Sequence, residues 1–127
     1  MAVCVDTPFL VDLLAGAPSA VDFAEGLQEP AAISAVSFYE LLFGFRVVAV
    51  GCKLRTSPGG YAVVPADYEV CTMAAAIQGR LGEAGELIPV LDAIIAATAI
   101  LAGLPVVTSD AHFRRIPPDF GLAVRAY

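Results

Sequence analysis

Three features of this sequence predict an α/β fold with a mostly parallel sheet covered by helices on both faces. Short, nearly continuous apolar runs of strand length recur at residues 2–5, 31–34, 61–64, 106–108 and 122–125. Longer stretches with helical periodicity separate them, and Pro and Gly punctuate the ends of those stretches. The chain has 127 residues, 58% of them hydrophobic and 16% charged, so it can close one core without a disulfide framework or a structural metal.

Residues 2–5 form the first strand. Asp6, Thr7 and Pro8 start a helix, with Pro8 at the first helical position, where its missing N–H is harmless. Phe9, Leu10, Leu13 and Leu14 give that helix an apolar stripe that stops at Gly16. A second amphipathic stretch begins at Pro18 and Ser19, passes through Val21, Phe23, Ala24 and Leu27, and ends near Pro30. After the strand at 31–34 comes a helix over residues 37–45 that is apolar on nearly every face, with Glu40 as its only acid. Such a helix is expected to be buried on more than one side. Residues 51–60 hold three Gly, one Pro and two basic side chains and read as a loop or frayed helix end. The strand at 61–64 leads through Pro65, Ala66 and Asp67 into a helix reaching about residue 81, and Gly82 and Gly85 mark a connection. Asp92 stands directly before a helix over 93–102 that Gly103 terminates. A strand at 106–108, a turn or short helix at 110–115 and a last strand at 122–125 complete what reads as a single domain over residues 1–127.

The apolar run at 93–107 is shorter than the ~18 residues a spanning helix needs, so no membrane span is expected. The N-terminus carries no basic segment ahead of an apolar stretch, which points to a cytoplasmic protein. Cys4, Cys52 and Cys71 are far apart and odd in number, a pattern that suits neither a disulfide framework nor a zinc site. The formal charge of −6 argues against a general polyanion coat. It leaves a nuclease open, because acids gathered around cations add to the net charge without repelling substrate once the cations bind.

Four acids lie in apolar surroundings: Asp6 after the first strand, Glu40 in the apolar helix, Asp92 at a helix start and Asp110 after the fourth strand. Each has a plain structural explanation, as a helix N-cap for Asp6 and Asp92, a satisfied or exposed helix acid for Glu40, and a turn residue for Asp110. Taken jointly they say more. Ligands of parallel α/β sheets bind beyond the carboxyl ends of the strands, where Asp6 and Asp110 fall. Two carboxylates ~4 Å apart repel by about 4 kcal/mol at an effective dielectric near 20, so a cluster of four calls for a counter-ion. No Lys or Arg is adjacent to any of them, which points to a hard divalent cation, Mg²⁺ or Mn²⁺. Such ions activate water and offset charge during phosphodiester hydrolysis without any nucleophilic side chain. The single His makes a Ser-His-Asp or Cys-His arrangement hard to assemble.

Four sequence blocks carry a family likeness: V-x-V-D-T at residues 3–7, S-x-x-E-L-x-x-G at 37–44, D-A-x-I-A-A-x-A at 92–99 and T-x-D-x-x-F at 108–113. In that order they resemble the PIN-domain nucleases, and among them the VapC-type toxins of toxin–antitoxin pairs, over almost the whole chain. The resemblance implies a three-layer α/β/α fold with strand order 3-2-1-4-5 and Mg²⁺- or Mn²⁺-dependent endoribonuclease activity on RNA. It also implies homodimerisation and a cognate antitoxin partner. It carries Asp6, Glu40, Asp92 and Asp110 over as catalytic, metal-holding acids, with Thr7 and Thr108 in support. Two departures stand out: basic residues are few, and the Gly-rich stretch after Cys52 leaves little room for the second arm of a helical clip.

Arg46, Lys53, Arg55, Arg114 and Arg115 are the candidate RNA contacts, each weighed against an ordinary solvated surface residue. His112 reads as an exposed turn residue rather than a contact to RNA or water, and Asp12, Asp22, Asp67 and Asp119 read as helix or turn acids. Phe38, Tyr39, Leu42, Phe43 and Phe45 exceed what one helix buries against one sheet. A mean hydropathy of +0.77 favours a dimer or antitoxin surface over a two-sided core helix. Two alternatives follow. One is a catalytically silent PIN-fold binding module acting through the apolar helix at 37–50. The other, a phospho-acceptor or phosphatase domain, fits less well, because no second acid lies two positions after Asp6 and the only Lys, Lys53, is in a loop.

Overall fold

A computed structural model describes residues 1–44 and 59–127. Its strands are β1 (Cys4–Val5), β2 (Ala31–Ser34), β3 (Tyr61–Val64), β4 (Val106–Val107) and β5 (Val124–Arg125), all paired in parallel in the order β3-β2-β1-β4-β5. This is the α/β architecture and strand order expected above. Strand β1 sits between β2 and β4, with Val5 opposite Ile33 on one side and Val107 on the other. The order reverses at β1, so the crevice beyond its carboxyl end is where the chain leaving β1 and β4 can meet.

The pleat divides the core into two. Successive side chains of a strand point to opposite faces. Cys4, Ala32 and Val106 therefore face helices α4 (Tyr68–Glu83) and α5 (Val90–Ala102), packing with Ile77, Leu81, Ile95 and Phe113. Val5, Ile33 and Val107 face helices α1 (Thr7–Leu14) and α2 (Pro18–Glu25), packing with Phe9, Leu10 and Leu13. Each large side chain fully withdrawn in this way contributes about 1.5–3 kcal/mol. A substitution such as Phe9→Ala would open a cavity in the second core only.

Local signals explain the element ends. Asp6 is the N-cap of α1, its Oδ1 accepting from the Thr7 N–H at 2.7 Å, and a Pro occupies the first turn. Asp67 caps α4 by accepting from the Val70 N–H at 3.1 Å. Gly103 ends α5 in the left-handed region at φ 68°, a conformation that side-chain-bearing residues adopt at a cost. Among the described residues no helix is long and apolar enough to cross a membrane.

One expectation about helices needs correction and a second needs a limit. Helix α5 begins at Val90, not at 93, because the extended Pro89 serves as its N-cap; Asp92 is therefore an acid in the first turn and not a cap. Helix α3 (Ala35–Gly44) is buried on more than one side, as expected, packing against α1 and against α5, but it is not covered all round. Ser37 and Leu41 face the interior, Val36 joins the α4/α5 core, and Phe38 and Leu42 join the α1/α2 core. Tyr39 and Phe43 stay 64% and 83% exposed, with their rings stacked at 6.2 Å. The inner side of the helix packs between α1 and α5 and against β2 and β3, while Tyr39 and Phe43 mark its open outer side. Residues 45–50 of the predicted apolar helix, including Phe45, lie outside the described residues, as do Cys52 and positions 51–58 of the predicted loop.

Candidate metal centre

Three short connections bring acids to the carboxyl ends of β1, β2 and β4. Asp6 follows β1 at once and is 1% exposed. The cap on α1 uses its Oδ1; its Oδ2 accepts from the Thr108 hydroxyl at 2.6 Å. That same Thr108 oxygen, just past β4, accepts from the Asp110 N–H at 2.9 Å. One buried hydroxyl thus ties the β1 acid to the backbone of the β4 acid. Asp110 in turn caps the 3₁₀ helix Ala111–Arg115, accepting from the His112 N–H at 2.9 Å. Glu40 reaches in from α3, where its Oε1 accepts from the Thr7 hydroxyl at 2.8 Å, and the buried Ser37 hydroxyl stands 3.0 Å from the same Thr7 oxygen. Asp92 enters from the first turn of α5.

The four acids feel one another. Burial pushes the Asp6 carboxyl up to about 6; hydrogen bonds from Thr108 and Thr7 oppose the shift, and the charges of Asp92 and Asp110 add to it. Burial also raises Asp92 above the ordinary carboxylate range. Its contact with His112 pulls it back, and the charges of Asp110 and Glu40 push it further up. Among the described residues no Lys or Arg forms an ion pair with any of the four. Asp6 feels the charges of Asp92 and Asp110, and Asp92 those of Asp110 and Glu40, so the four predicted acids are neighbours. Of the four, only Asp92 and Asp110 belong to a cluster of donor atoms within 4.8 Å of one another. Thr7 and Thr108, the predicted supporting residues, hydrogen-bond Asp6 and Glu40.

His112 is the main correction. It is not simply an exposed turn residue: its side chain is 33% exposed, with Nδ1 2.9 Å from Asp92 Oδ2 and 3.0 Å from Asp110 Oδ1. Which atoms donate depends on the ring tautomer. The donor atoms of Asp92, Asp110 and His112 all lie within 4.8 Å of one another, close enough to serve one cation. The donor set is rich in carboxylate oxygen, buried at one end and half-open at the other, and has no side-chain ammonium or guanidinium among the described residues; it fits a divalent ion. The signal in the sequence was the D-x-H spacing at 110–112, since a capped turn after Asp110 returns the next-but-one side chain over the carboxylate.

The basic candidates are less informative. Arg114 and Arg115 are exposed on the 3₁₀ helix beside the crevice, and the Arg115 guanidinium makes a long 3.5 Å contact to the Leu87 carbonyl. Arg46, Lys53 and Arg55 lie outside the described residues. Of the acids read as structural, Asp67 is a cap, Asp119 pairs with Arg80 at 2.8 Å, and Asp12 accepts from the Tyr127 hydroxyl. The Tyr127 contact was not read from the sequence; it folds the last residue across α1, where its ring packs edge-on against Phe9.

A family profile described as PIN domain matches residues 3–118. A comparison with curated protein sequences finds no match. Among solved structures, the chain is similar to VapBC2 from Rickettsia felis bound to a promoter DNA fragment, with a TM-score of 0.82 at 22% identity, covering 99% of this chain and 98% of that one. It is similar to a toxin-antitoxin complex from Klebsiella pneumoniae (TM-score 0.74, 24% identity, 91% of this chain and 93% of that one). It is also similar to FitAcB from Neisseria gonorrhoeae (0.73, 25%, 96% and 95%).

Proposed function

This chain belongs to the PIN domain family, and from that premise we propose that it is a divalent-metal-dependent endoribonuclease, the toxin of a VapBC-type toxin–antitoxin module. The observation that supports this reading most is the convergence of Asp6, Glu40, Asp92 and Asp110, from four separate segments, into one crevice without a Lys or Arg counter-charge among the described residues. Asp6, Glu40, Asp92 and Asp110 would hold Mg²⁺ or Mn²⁺. A bound ion of this kind supplies a Lewis acid that activates water and offsets the charge of a phosphodiester under in-line attack.

The chain's own residues do the positioning. Thr108 and the Thr7 N–H fix both oxygens of Asp6, so that carboxylate cannot rotate when substrate arrives. The Thr7 hydroxyl hydrogen-bonds Glu40, and the Asp110 cap sets the turn carrying Arg114 and Arg115, whose exposed guanidinium groups would meet substrate phosphates in this reading. The exposed Tyr39–Phe43 pair, on the helix that presents Glu40, gives an apolar surface for a protein partner, either a second copy or a cognate antitoxin. The likeness to structures described as toxin–antitoxin complexes supports the second. A cytoplasmic homodimer acting on RNA over a single domain of 1–127 completes the reading.

The test is cleavage of RNA by the isolated chain in Mg²⁺ or Mn²⁺. Cleavage should stop in EDTA and fall on the order of a hundredfold or more in Asp6→Asn, which keeps the oxygen that caps α1 while removing the charge. Cleavage that survives either treatment contradicts the proposal. An inactive chain that still binds a partner through Tyr39 and Phe43 would instead favour a silent binding module.

A further inference from the structure

We propose that His112 is a nitrogen ligand in this centre and that it makes the site select Mn²⁺ over Mg²⁺. The inference rests on the metal-dependent reading above and sharpens it by adding a donor of a different chemical kind. His112 Nδ1 stands almost equally far from one oxygen of Asp92 and one of Asp110, at 2.9 and 3.0 Å. Neighbouring donors around an octahedral divalent ion with bonds of ~2.1 Å are themselves ~3 Å apart, so the spacing suits three ligands sharing one ion. The three donors are mutually within 4.8 Å, and the Asp92 and His112 side chains are 16% and 33% exposed, so an ion can reach them.

The ring is also held in place. The Asp110 carboxylate caps the turn through the His112 N–H at 2.9 Å, which fixes the His112 backbone against the same carboxylate that its ring approaches. A side chain in a solvated turn needs no such double attachment.

Chemistry then decides the ion. Mg²⁺ prefers oxygen donors and gives up its waters reluctantly, so a nitrogen in place of an oxygen adds little to its binding. Mn²⁺ also takes carboxylate readily and binds nitrogen most weakly of the first-row transition series. Of the two ions considered for this centre, however, it is the one that belongs to that series, so an imidazole adds more to its binding than to that of Mg²⁺. His112 therefore separates the two ions where an all-carboxylate crevice would hold both through similar donors.

The chain contains one His, so incorporation of ¹⁵N-histidine into tag-free protein labels this ring alone. Pulsed electron paramagnetic resonance of the Mn²⁺-loaded, labelled protein should show a ¹⁵N coupling; its absence overturns the proposal without any mutation. Calorimetric titration of each ion into the unsubstituted protein and into His112→Asn, which offers an oxygen in place of the ring nitrogen, gives the second readout. Mn²⁺ binding should weaken by about tenfold or more while Mg²⁺ binding changes by less than about threefold. Equal losses for both ions, or tighter binding of both, would make His112 a positioning residue or an internal counter-charge and overturn the proposal. If ions bind and RNA is cut but no nitrogen couples, this inference falls alone. If neither ion binds the unsubstituted protein, the metal-dependent reading falls with it.

Discussion

Two aspartates in this chain have opposite surroundings. Asp119, on an exposed 3₁₀ turn, receives both terminal nitrogens of Arg80, at 2.8 and 3.3 Å, and that hydrogen bonding holds its carboxyl below the usual range. Asp6 is buried at the carboxyl end of the central strand, receives only a hydroxyl and a backbone N–H, and is pushed up to about 6. One carboxylate is partnered by the fold; the other is neutralised by nothing among the described residues. A protein needing only stability would favour the first arrangement everywhere. The second makes physical sense when a cation from solution completes it.

The contrast is sharpest in activity. Asp6→Asn should lower RNA cleavage on the order of a hundredfold, while Asp119→Asn, paired with Arg80 on an exposed turn, should leave it within about twofold; comparable losses would erase the distinction drawn between the two aspartates.

Stability against pH gives the next largest effect. The folded-state carboxyl of Asp6 titrates near 6 and its ordinary value is 3.8. Between those values the folded chain holds a proton that the unfolded chain has released, so Asp6 makes the protein less stable as pH rises through this window. About two units correspond to roughly 3 kcal/mol. Denaturant unfolding in EDTA at pH 4 and pH 7 should therefore show Asp6→Asn gaining on the unsubstituted protein by up to about 3 kcal/mol at the higher pH. A gap that stays constant or shrinks contradicts the sign.

Thr108→Val removes the hydroxyl that joins Asp6 to the Asp110 backbone and leaves buried polar atoms unpaired, which should cost about 1–3 kcal/mol in the same experiment. Least is expected of Asp119→Asn on stability: a small loss that fades in high salt, because an exposed pair is screened and bought at the expense of side-chain freedom.

Much of this contrast is legible in the sequence. Strand runs at 31–34 and 61–64 coincide with β2 and β3; β2, between two neighbours, is buried throughout as a parallel strand should be, whereas β3 at the sheet edge leaves Val63 exposed. The four acids stood out because charge in apolar surroundings needs a reason. The start of α5 does not stand out, since Asp92 imitates a cap while the N-cap position falls three residues earlier at Pro89, which makes no side-chain capping hydrogen bond. His112 was misread because a lone imidazole in a turn carries no periodic signal, and its meeting with Asp92 joins residues 20 apart in sequence. For the aromatics of α3 the sequence favours an interface surface, and Tyr39 and Phe43 are exposed, but periodicity records a surplus of apolar surface and not what covers it.

The most direct test is thermal unfolding at pH 7 in EDTA and in millimolar Mn²⁺. An ion that binds the folded crevice and not the unfolded chain should raise the midpoint, by an amount equivalent to about 2.7 kcal/mol at a hundred times its dissociation constant, and Asp92→Asn should lose most of that gain. Identical midpoints with and without the ion would mean that the crevice tolerates its charge unaided, and the metal centre would have to be abandoned.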